Sequence, residues 1–589
     1  MSYKIKSIYK HLLEKYDINW MPFKVNTLDY AKEVDKPVFL HIGNISKTIE
    51  NEATYRLFSN KVIVNFINNN FIAVVLDSED IPEASLIGLD LLIINKQNFS
   101  IPINLFALPN GKPFLSLHTL EPDEFLIIAE NILNSFYNKR KILEKAADEL
   151  EWRLINSGVI LEKKPAVDIS QKMLHAYVRS WSIKFINRNA TEKSSPYNIN
   201  IRFYVFLLKY AHVYKKKEWL EYIAETLDKL YYSAMFDPIN GGFFTRAVSY
   251  TLNEPLYEKS FSENTQALAL YAMAFKYLKK ERYKECCLRT FNFIEQYMRS
   301  ELGWGYISSI SSYSPLETSS FYNFSISELK SHFKSSYKKI ATYLGMDLSL
   351  DENFPQYIHN TPKNKKISSE ELSILKKIRN KKKKQLVYDK RLITADNCMY
   401  VSNLCMIYKI FKENKYLEKA QLIIDNILDL QLRDNSKMNL YRYIAPKKYN
   451  YSSYLLDYAF FLNASLYLAK YTKNDKYIAL AKKYTNYILF YYYNPNIGMF
   501  TATKENEQAS SKYKRECIMD YSRFSANSVM ARNLFLLYLT TKEDFYLDIF
   551  KQQLYNVESQ LIGSGPFMVG WALQILNYLG LYNKTLLPK

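Results

Sequence analysis

Three acidic side chains stand at matching distances behind three similar turns. Asp237 opens the turn FDPINGGFF at 236–244, and Glu263 follows 26 residues later (263 − 237). Asn494 opens YNPNIGMFT at 493–501, and Asp520 also follows 26 later (520 − 494). Asp434 opens a third, within RDNSKMNLYRY, and Asp457 follows 23 later (457 − 434). Glu258 precedes Glu263 by a little more than one helical turn. If such turns are equivalent stations of a ring of helices, these acids reach one mouth of it. Carboxyls gathered in that way suit general acid–base work, one giving a proton to a leaving oxygen and another acting as base or nucleophile. Glu258, Glu263, Asp457 and Asp520 are therefore the catalytic candidates. The plainer role for the same residues is capping, since an acid in a first turn accepts from free amides and favours the helix dipole. Tyr458 and Tyr521 beside them suit sugar stacking, although among 51 tyrosines core packing is an equally ready use.

The elements that must carry these residues are helical from about residue 150 onward. IRFYVFLLKYAHVYKKK, NTQALALYAMAFKYLKK and YLLDYAFFLNASLYLAKY repeat apolar residues at three and four, as one-sided helices do. RSELGWGYISS from Arg299 is a fourth turn of the same outline, and weaker ones fall near Arg188 and Gly563. Six such helix pairs, with no capping unit at either end, predict a closed (α/α)6 six-hairpin toroid over 150–589. A Lys-rich insertion interrupts it at about 315–390. Its block KKIRNKKKKQ, Lys376 to Gln385, reads as a solvated face.

Residues 1–145 differ in kind. KPVFLHI and FIAVVLD are short apolar runs of the sort found in strands covered on both faces. IPINLFALPNGKPFLSL adds two more strands about an Asn-Gly turn, and a helix follows from about Pro122 to Phe136. This predicts an α/β sheet domain before the toroid.

Composition narrows the function classes. The formal charge is +20 over 589 residues, but the excess is spread along the chain and no recognition motif accompanies it, so nucleic acid is not the expected partner. The cysteines, Cys286, Cys287, Cys398, Cys405 and Cys517, contain no CxxC pair, which fits a reducing cytoplasm. Seven scattered histidines form no metal-ligand spacing, so neither metal nor cofactor is expected. With no long apolar run, no membrane association is expected, and a soluble cytoplasmic protein follows.

Longer stretches resemble the spermatogenesis-associated protein 20-like family, which includes bacterial YyaL-type proteins. DINWMPF is similar to the family's NPVDWYPW, keeping Trp20 and Pro22, and KPVFLHIG to KPIFLSIG. NNNFIAVVLDSEDIPE resembles NENFVSIKVDREERPD with Asp77 and Pro82, and IPINLFALPNGKPF resembles WPLNVFLTPDGKPF with Pro102, Asn104, Pro109 and Gly111. EPLYEKSFSENTQAL is similar to VPHFEKMLYDNAQLL, keeping Pro255, Glu258, Lys259 and Asn264. KRLITADNCM resembles DKVLTSWNGLM through Thr394 and Asn397, and LLDYAF resembles LEDYAF through Asp457 and Tyr458. DYSRFSANSV resembles DGATPSGNSV through Asp520, Ser525, Asn527 and Ser528. The likeness covers nearly the whole chain. It implies a thioredoxin-like domain with a cis proline at Pro102, joined to a six-hairpin glycosidase-like barrel. It also adds Asn264, Asn397, Asn527 and Tyr458 as candidate ligand-binding residues.

The departures are chemical. In this register the family's CHWCH falls on Lys47-Thr48-Ile49-Glu50-Asn51, its barrel histidine on Leu256, and its acidic DADSEG on SSYSPL, Ser311 to Leu316. Thiol exchange needs a thiolate and a resolving thiol. Lys47 and Glu50 are neither, so the first domain reads as a packing module or a docking surface for a protein partner. Two readings of the barrel remain: a non-catalytic, pseudo-enzymatic protein that binds a small ligand such as a saccharide; or a hydrolase, epimerase or isomerase with paired carboxylates. The first expects a mouth that is filled or lacks paired carboxyls, the second a polar mouth with two carboxyls about 5 to 9.5 Å apart.

Overall fold

The computed structural model describes the chain except residues 1–8, 10–12, 24, 45–47, 97–100, 119–120, 157–159, 161, 187–196, 199, 313–320, 362–366, 434–437, 446–447, 451–453, 505–515 and 583–589. Lys47, Asp434 and much of SSYSPL thus lie outside the described residues, and of Glu50 only the backbone is described. Two units divide the chain. The first runs to Val159, and the second takes Ile160–Glu505 and Glu516–Lys589.

In the first unit, strands β1 (Val38–Gly43), β2 (Ile72–Asp77), β3 (Ile103–Ala107) and β4 (Pro113–Leu117) form one sheet in the order β2-β1-β3-β4. β1 and β2 are parallel, β3 and β4 antiparallel, and both parallel strands are buried along their whole length. Successive side chains face opposite ways in a strand, so the sheet feeds two cores. Phe39, Ala73, Val75 and Phe106 pack toward α2 (Thr48–Ser59), α3 (Lys61–Asn70) and α5 (Pro122–Asn138). Val38, Leu40, Ile42 and Leu105 pack on the other face, toward α1 (Val25–Glu33), α4 (Pro82–Ile94) and α6 (Arg140–Asn156). Leu150 and Leu154 of α6 join that core, so the first unit extends past 145. The Ile101–Pro102 peptide that opens β3 is cis. The fold is thioredoxin-like.

The second unit pairs α7 (Gln171–Ile186), α8 (Ile201–Val213), α9 (Lys217–Tyr232), α10 (Phe261–Leu278) and α11 (Glu281–Phe293). After an insertion holding α12 (Ile326–Phe333), α13 (Tyr337–Tyr343) and α14 (Ser369–Lys381), the pairs resume. They are α15 (Thr394–Phe411), α16 (Lys415–Arg433), α17 (Leu455–Thr472), α18 (Asp475–Tyr491), α19 (Ala526–Thr541), α20 (Asp544–Ser564) and α21 (Val569–Tyr582). The inner helices pack in the order α8, α10, α15, α17, α19, α21, and α21 packs back on α8. Each has an outer partner, and α7 lies against α20 and α21. The ring is closed. It is an (α/α)6 toroid.

The inner helices run in one direction. Ser402 donates to Asn463 at 3.0 Å and Asn463 to Asn533 at 2.8 Å, each eight or nine residues into its helix. Lys209 donates to Asn577 at 2.7 Å at the corresponding depth of α8 and α21. All six N-termini therefore share one mouth, and all six C-termini the other.

The insertion is ordered around its own core of Phe324, Leu329, Ile340, Leu344, Leu375 and Ile378. Here the sequence expectation of a solvated basic face needs correction. Arg379, inside that Lys-rich block, is buried, and its Nη1 reaches both oxygens of Asp237 at 2.8 Å. Hydrophobic neighbours at Leu375 and Ile378 carry it inward on the same helix.

Candidate functional site

The turns that precede the inner helices are held by a repeated device. Asn264 accepts from the Phe243 amide at 2.7 Å and donates to the Phe243 and Ser260 carbonyls, both at 2.9 Å. Asn397 does the same with Tyr306, accepting at 2.9 Å and donating at 3.1 Å, and also reaches the Ile393 carbonyl at 3.0 Å. Asn527 accepts from the Phe500 amide at 3.0 Å and donates to its carbonyl at 2.8 Å. A side-chain amide has one acceptor end and two donors, so each asparagine closes a two-way clasp on one peptide of a turn. In the fourth unit Tyr458 substitutes: its hydroxyl accepts from Leu440 N at 3.4 Å and donates to Met438 O at 3.3 Å.

This corrects four expectations. Asn264, Asn397, Asn527 and Tyr458 are fully buried and spend their polar groups on the backbone, so none is placed to touch a ligand. The Tyr458 ring packs among Tyr484, Tyr487 and Tyr492. Asp237 is likewise structural. It binds Lys259 Nζ at 2.7 Å besides Arg379, and accepts from Ile239 N at 2.9 Å. Burial alone would raise its pKa, but the two cations win and hold it well below the usual carboxylate range.

The mouth itself does collect acids. Glu263, Asp396 and Asp457 each lie in the first turn of α10, α15 and α17. Asp520 lies just ahead of α19, accepting from Ser525 N at 2.7 Å and from Gly570 N, at the start of α21, at 2.6 Å. Each is matched by positive charge or by amides. Asp457 binds Arg442 Nη1 at 2.7 Å, with both residues no more than 1% exposed, and accepts from Ala395 N at 3.3 Å. Asp396 forms a fork with Arg523, Nε to Oδ1 at 2.5 Å and Nη2 to Oδ2 at 2.7 Å. Glu263 and Asp520 both act on the charge of Arg202, whose own pKa burial lowers. Glu258, on the strand leading into α10, pairs with Arg246 at 3.3 Å.

Burial leaves its mark on two of these carboxyls. It raises the pKa of Asp457 despite Arg442, and pushes Asp520 up to about 6 despite its two amide donors.

The segment Ile518–Arg523 closes over the mouth. Trp571 Nε1 donates to the Ile518 carbonyl at 2.8 Å and Asp520 N to Phe567 O at 2.7 Å. Arg202 Nη1 donates to the Ser522 carbonyl at 2.7 Å, Arg202 Nη2 binds the Tyr521 carbonyl, and Gln266 reaches Ser522 O at 3.1 Å. With Arg523 on Asp396, one short segment ahead of α19 touches α21, α8, α10 and α15. Ser522 is exposed, with Tyr521 and Arg523 half-buried beside it.

Sequence reasoning named Glu258, Glu263, Asp457 and Asp520 but missed their counter-ions. Arg202 and Tyr521 are 319 residues apart in sequence, and Arg523 and Asp396 are 127 apart. Only Arg442 carried a local signal, since it sits inside a quoted turn, RDNSKMNLYRY.

The cysteines offer no substitute for the missing dithiol. Cys286, Cys287, Cys398 and Cys405 are buried in the toroid, and burial pushes all four thiols up, away from the thiolate form. Among the described residues no group of three metal-ligating side chains occurs, and no helix is long and apolar enough to cross a membrane.

Comparison with known proteins bears on the kinship. Residues 3–155 match the family model Thioredox_DsbH, described as a protein of unknown function. An uncharacterised Caenorhabditis elegans protein is 22% identical over 90% of this chain and 79% of its own. Spermatogenesis-associated protein 20 of Mus musculus is 19% identical over 51% of this chain, which spans only 39% of the mouse protein. Among solved structures, a GH76 α-mannanase of Bacteroides thetaiotaomicron aligns over 70% of this chain and 97% of its own, at 13% identity and TM-score 0.43. A sugar epimerase from a ruminal bacterium aligns over 65% and 86%, at 10% identity and TM-score 0.42.

Proposed function

The chain is kin to the spermatogenesis-associated protein 20-like family, and from that premise we propose that it is a redox-silent, non-catalytic binding protein. One observation carries the reading: three of the mouth carboxylates are already engaged, Asp457 by Arg442, Asp396 by Arg523 and Asp520 by two backbone amides. A general acid must present its proton to the leaving oxygen, and a base or nucleophile must present a lone pair. Carboxylates locked into forks and caps present neither. The ligand we assign is a small saccharide, met at the exposed rim by Tyr521 and Ser522, which offer an aromatic face and a hydroxyl.

A carbohydrate-active enzyme is the second reading, and the carboxyl of Asp520, pushed up to about 6, favours it, since a raised pKa suits a general acid. A thermal-shift screen of mono- and disaccharides against wild type and Ser522→Trp separates binding from its absence. We expect at least one sugar to stabilise wild type and to lose its effect in Ser522→Trp. A screen in which no sugar stabilises wild type removes the ligand assignment.

A further inference from the structure

The opposite end of the toroid carries a second constellation that the mouth does not need. Lys276, Lys409 and Lys470 stand at one repeat position, each twelve residues after the clasp residue of its helix (276 − 264, 409 − 397, 470 − 458). Their direction follows from helix geometry. Ser402 and Asn463 bond to each other inside the ring, and Lys409 and Lys470 lie seven residues beyond them, two turns along the same faces. Lys209 stands on α8 at the depth of Ser402 and Asn463, two turns short of Lys409 and Lys470. Arg532 of α19 joins them, its guanidinium stacked 5.0 Å over the Tyr467 ring. Three inner helices thus place a lysine at this end, while Lys209 and Arg532 lie about two turns deeper in the ring, where Lys209 donates to Asn577 of α21 at 2.7 Å.

Six converging helix C-termini favour cations nearby. Other lysines already serve there. Lys279, Lys412, Lys473 and Lys542 end α10, α15, α17 and α19 in left-handed conformation, with their amides bonded to the last turn. Acids that open the outer helices pair elsewhere, Glu413 with Lys415 and Glu543 with Lys482. The inward cations consequently repel one another. The strongest charges acting on Lys209 are Arg532, Lys409, Lys276 and Lys470, and with burial they push it down to about 7. Lys409 is lowered by burial and by Lys276 and Lys470 in turn.

We propose that this end of the toroid is an anion site, in which Lys209, Lys276, Lys409, Lys470 and Arg532 converge from five helices on a multivalent phosphate-bearing small molecule. Charge-assisted bonds from several ammonium groups and one guanidinium suit phosphate oxygens, and half-buried positions strengthen them over surface pairs.

The test uses the full chain and three probes at constant ionic strength: inorganic pyrophosphate, glucose 6-phosphate and glucose. Thermal shift and titration calorimetry are read against sodium chloride. We expect pyrophosphate or glucose 6-phosphate to raise the Tm where glucose does not, and Lys409→Met and Lys276→Met each to weaken that binding by about tenfold. In chloride alone both variants should melt above wild type, because a repulsive cation has been removed. Lys470→Met, at the exposed edge, serves if either fails to fold, and Lys384→Met in the surface insertion should leave binding unchanged. No phosphate-specific shift, or an equal shift in Lys409→Met and Lys470→Met, overturns the proposal. Because the saccharide rim lies at the opposite mouth, loss of this site leaves the Ser522 result intact, and the converse.

Discussion

Asp457 lies in the first turn of α17 and Asp520 six residues ahead of α19, and different partners hold them. Asp457 has a guanidinium, so its removal exposes a buried cation. Asp457→Asn, or Arg442→Leu, should therefore cost roughly 3–5 kcal/mol in denaturant unfolding, with the double variant costing less than the sum. Asp520 has amides in place of an ion pair. Its folded pKa of about 6 stands above its ordinary value of 3.8, so the folded state binds the proton more tightly than the unfolded one. That contribution is complete below pH 3.8 and is lost as pH rises through about 6. Relative to Asp520→Asn, wild type should lose on the order of 3 kcal/mol between pH 4 and 7. His41 of β1 runs the other way. It is buried between Tyr9 and Asn104, at 2.8 and 2.7 Å, and burial lowers its pKa to about 4. Its stabilising effect is present above pH 6.5 and is lost as pH falls toward 4. Protection factors of the β1 amides, with the intrinsic pH dependence of exchange divided out, should fall over that window in wild type and stay level in His41→Gln.

Turns and helices carry the repeat. The clasp at Asn397 holds both polar groups of the Tyr306 peptide and one helix carbonyl, so Asn397→Ala should cost roughly 3 kcal/mol by leaving buried groups unpaired. Urea denaturation measures it; a loss below about 1 kcal/mol would mean that the turn holds without the clasp. Gly241 answers to the same turn geometry. Its φ is 77°, and a Cβ would meet the Arg289 carbonyl oxygen at 2.5 Å. Much of this level was legible. Apolar periodicity marked the inner helices, and the turn residues Pro, Gly and aromatic marked the stations of the ring. The clasps were legible only as conserved-looking kinship residues. Nothing in the local pattern distinguishes an asparagine that binds a peptide from one that binds a ligand. Lys276, Lys409 and Lys470 were equally hidden, because they become a set only once the helices are aligned on the clasps.

At the scale of the whole molecule, the proposed lack of catalysis has a different ground in each unit. In the first unit the motif positions lack thiols, and no rearrangement of Lys47 and Glu50 restores thiolate chemistry. In the toroid the carboxylates survive but are spent on arginines and amides, with Ile518–Arg523 drawn across them. The closed ring was readable from repeat number alone, whereas the neutralised mouth was not, because its pairs join residues up to 320 apart. The most direct test is a turnover assay of purified wild type and Asp520→Asn on a panel of mannosides, glucosides and free aldoses, read by NMR for hydrolysis, epimerisation and isomerisation. The account predicts no turnover above buffer for either protein. Turnover by wild type that disappears in Asp520→Asn would contradict it.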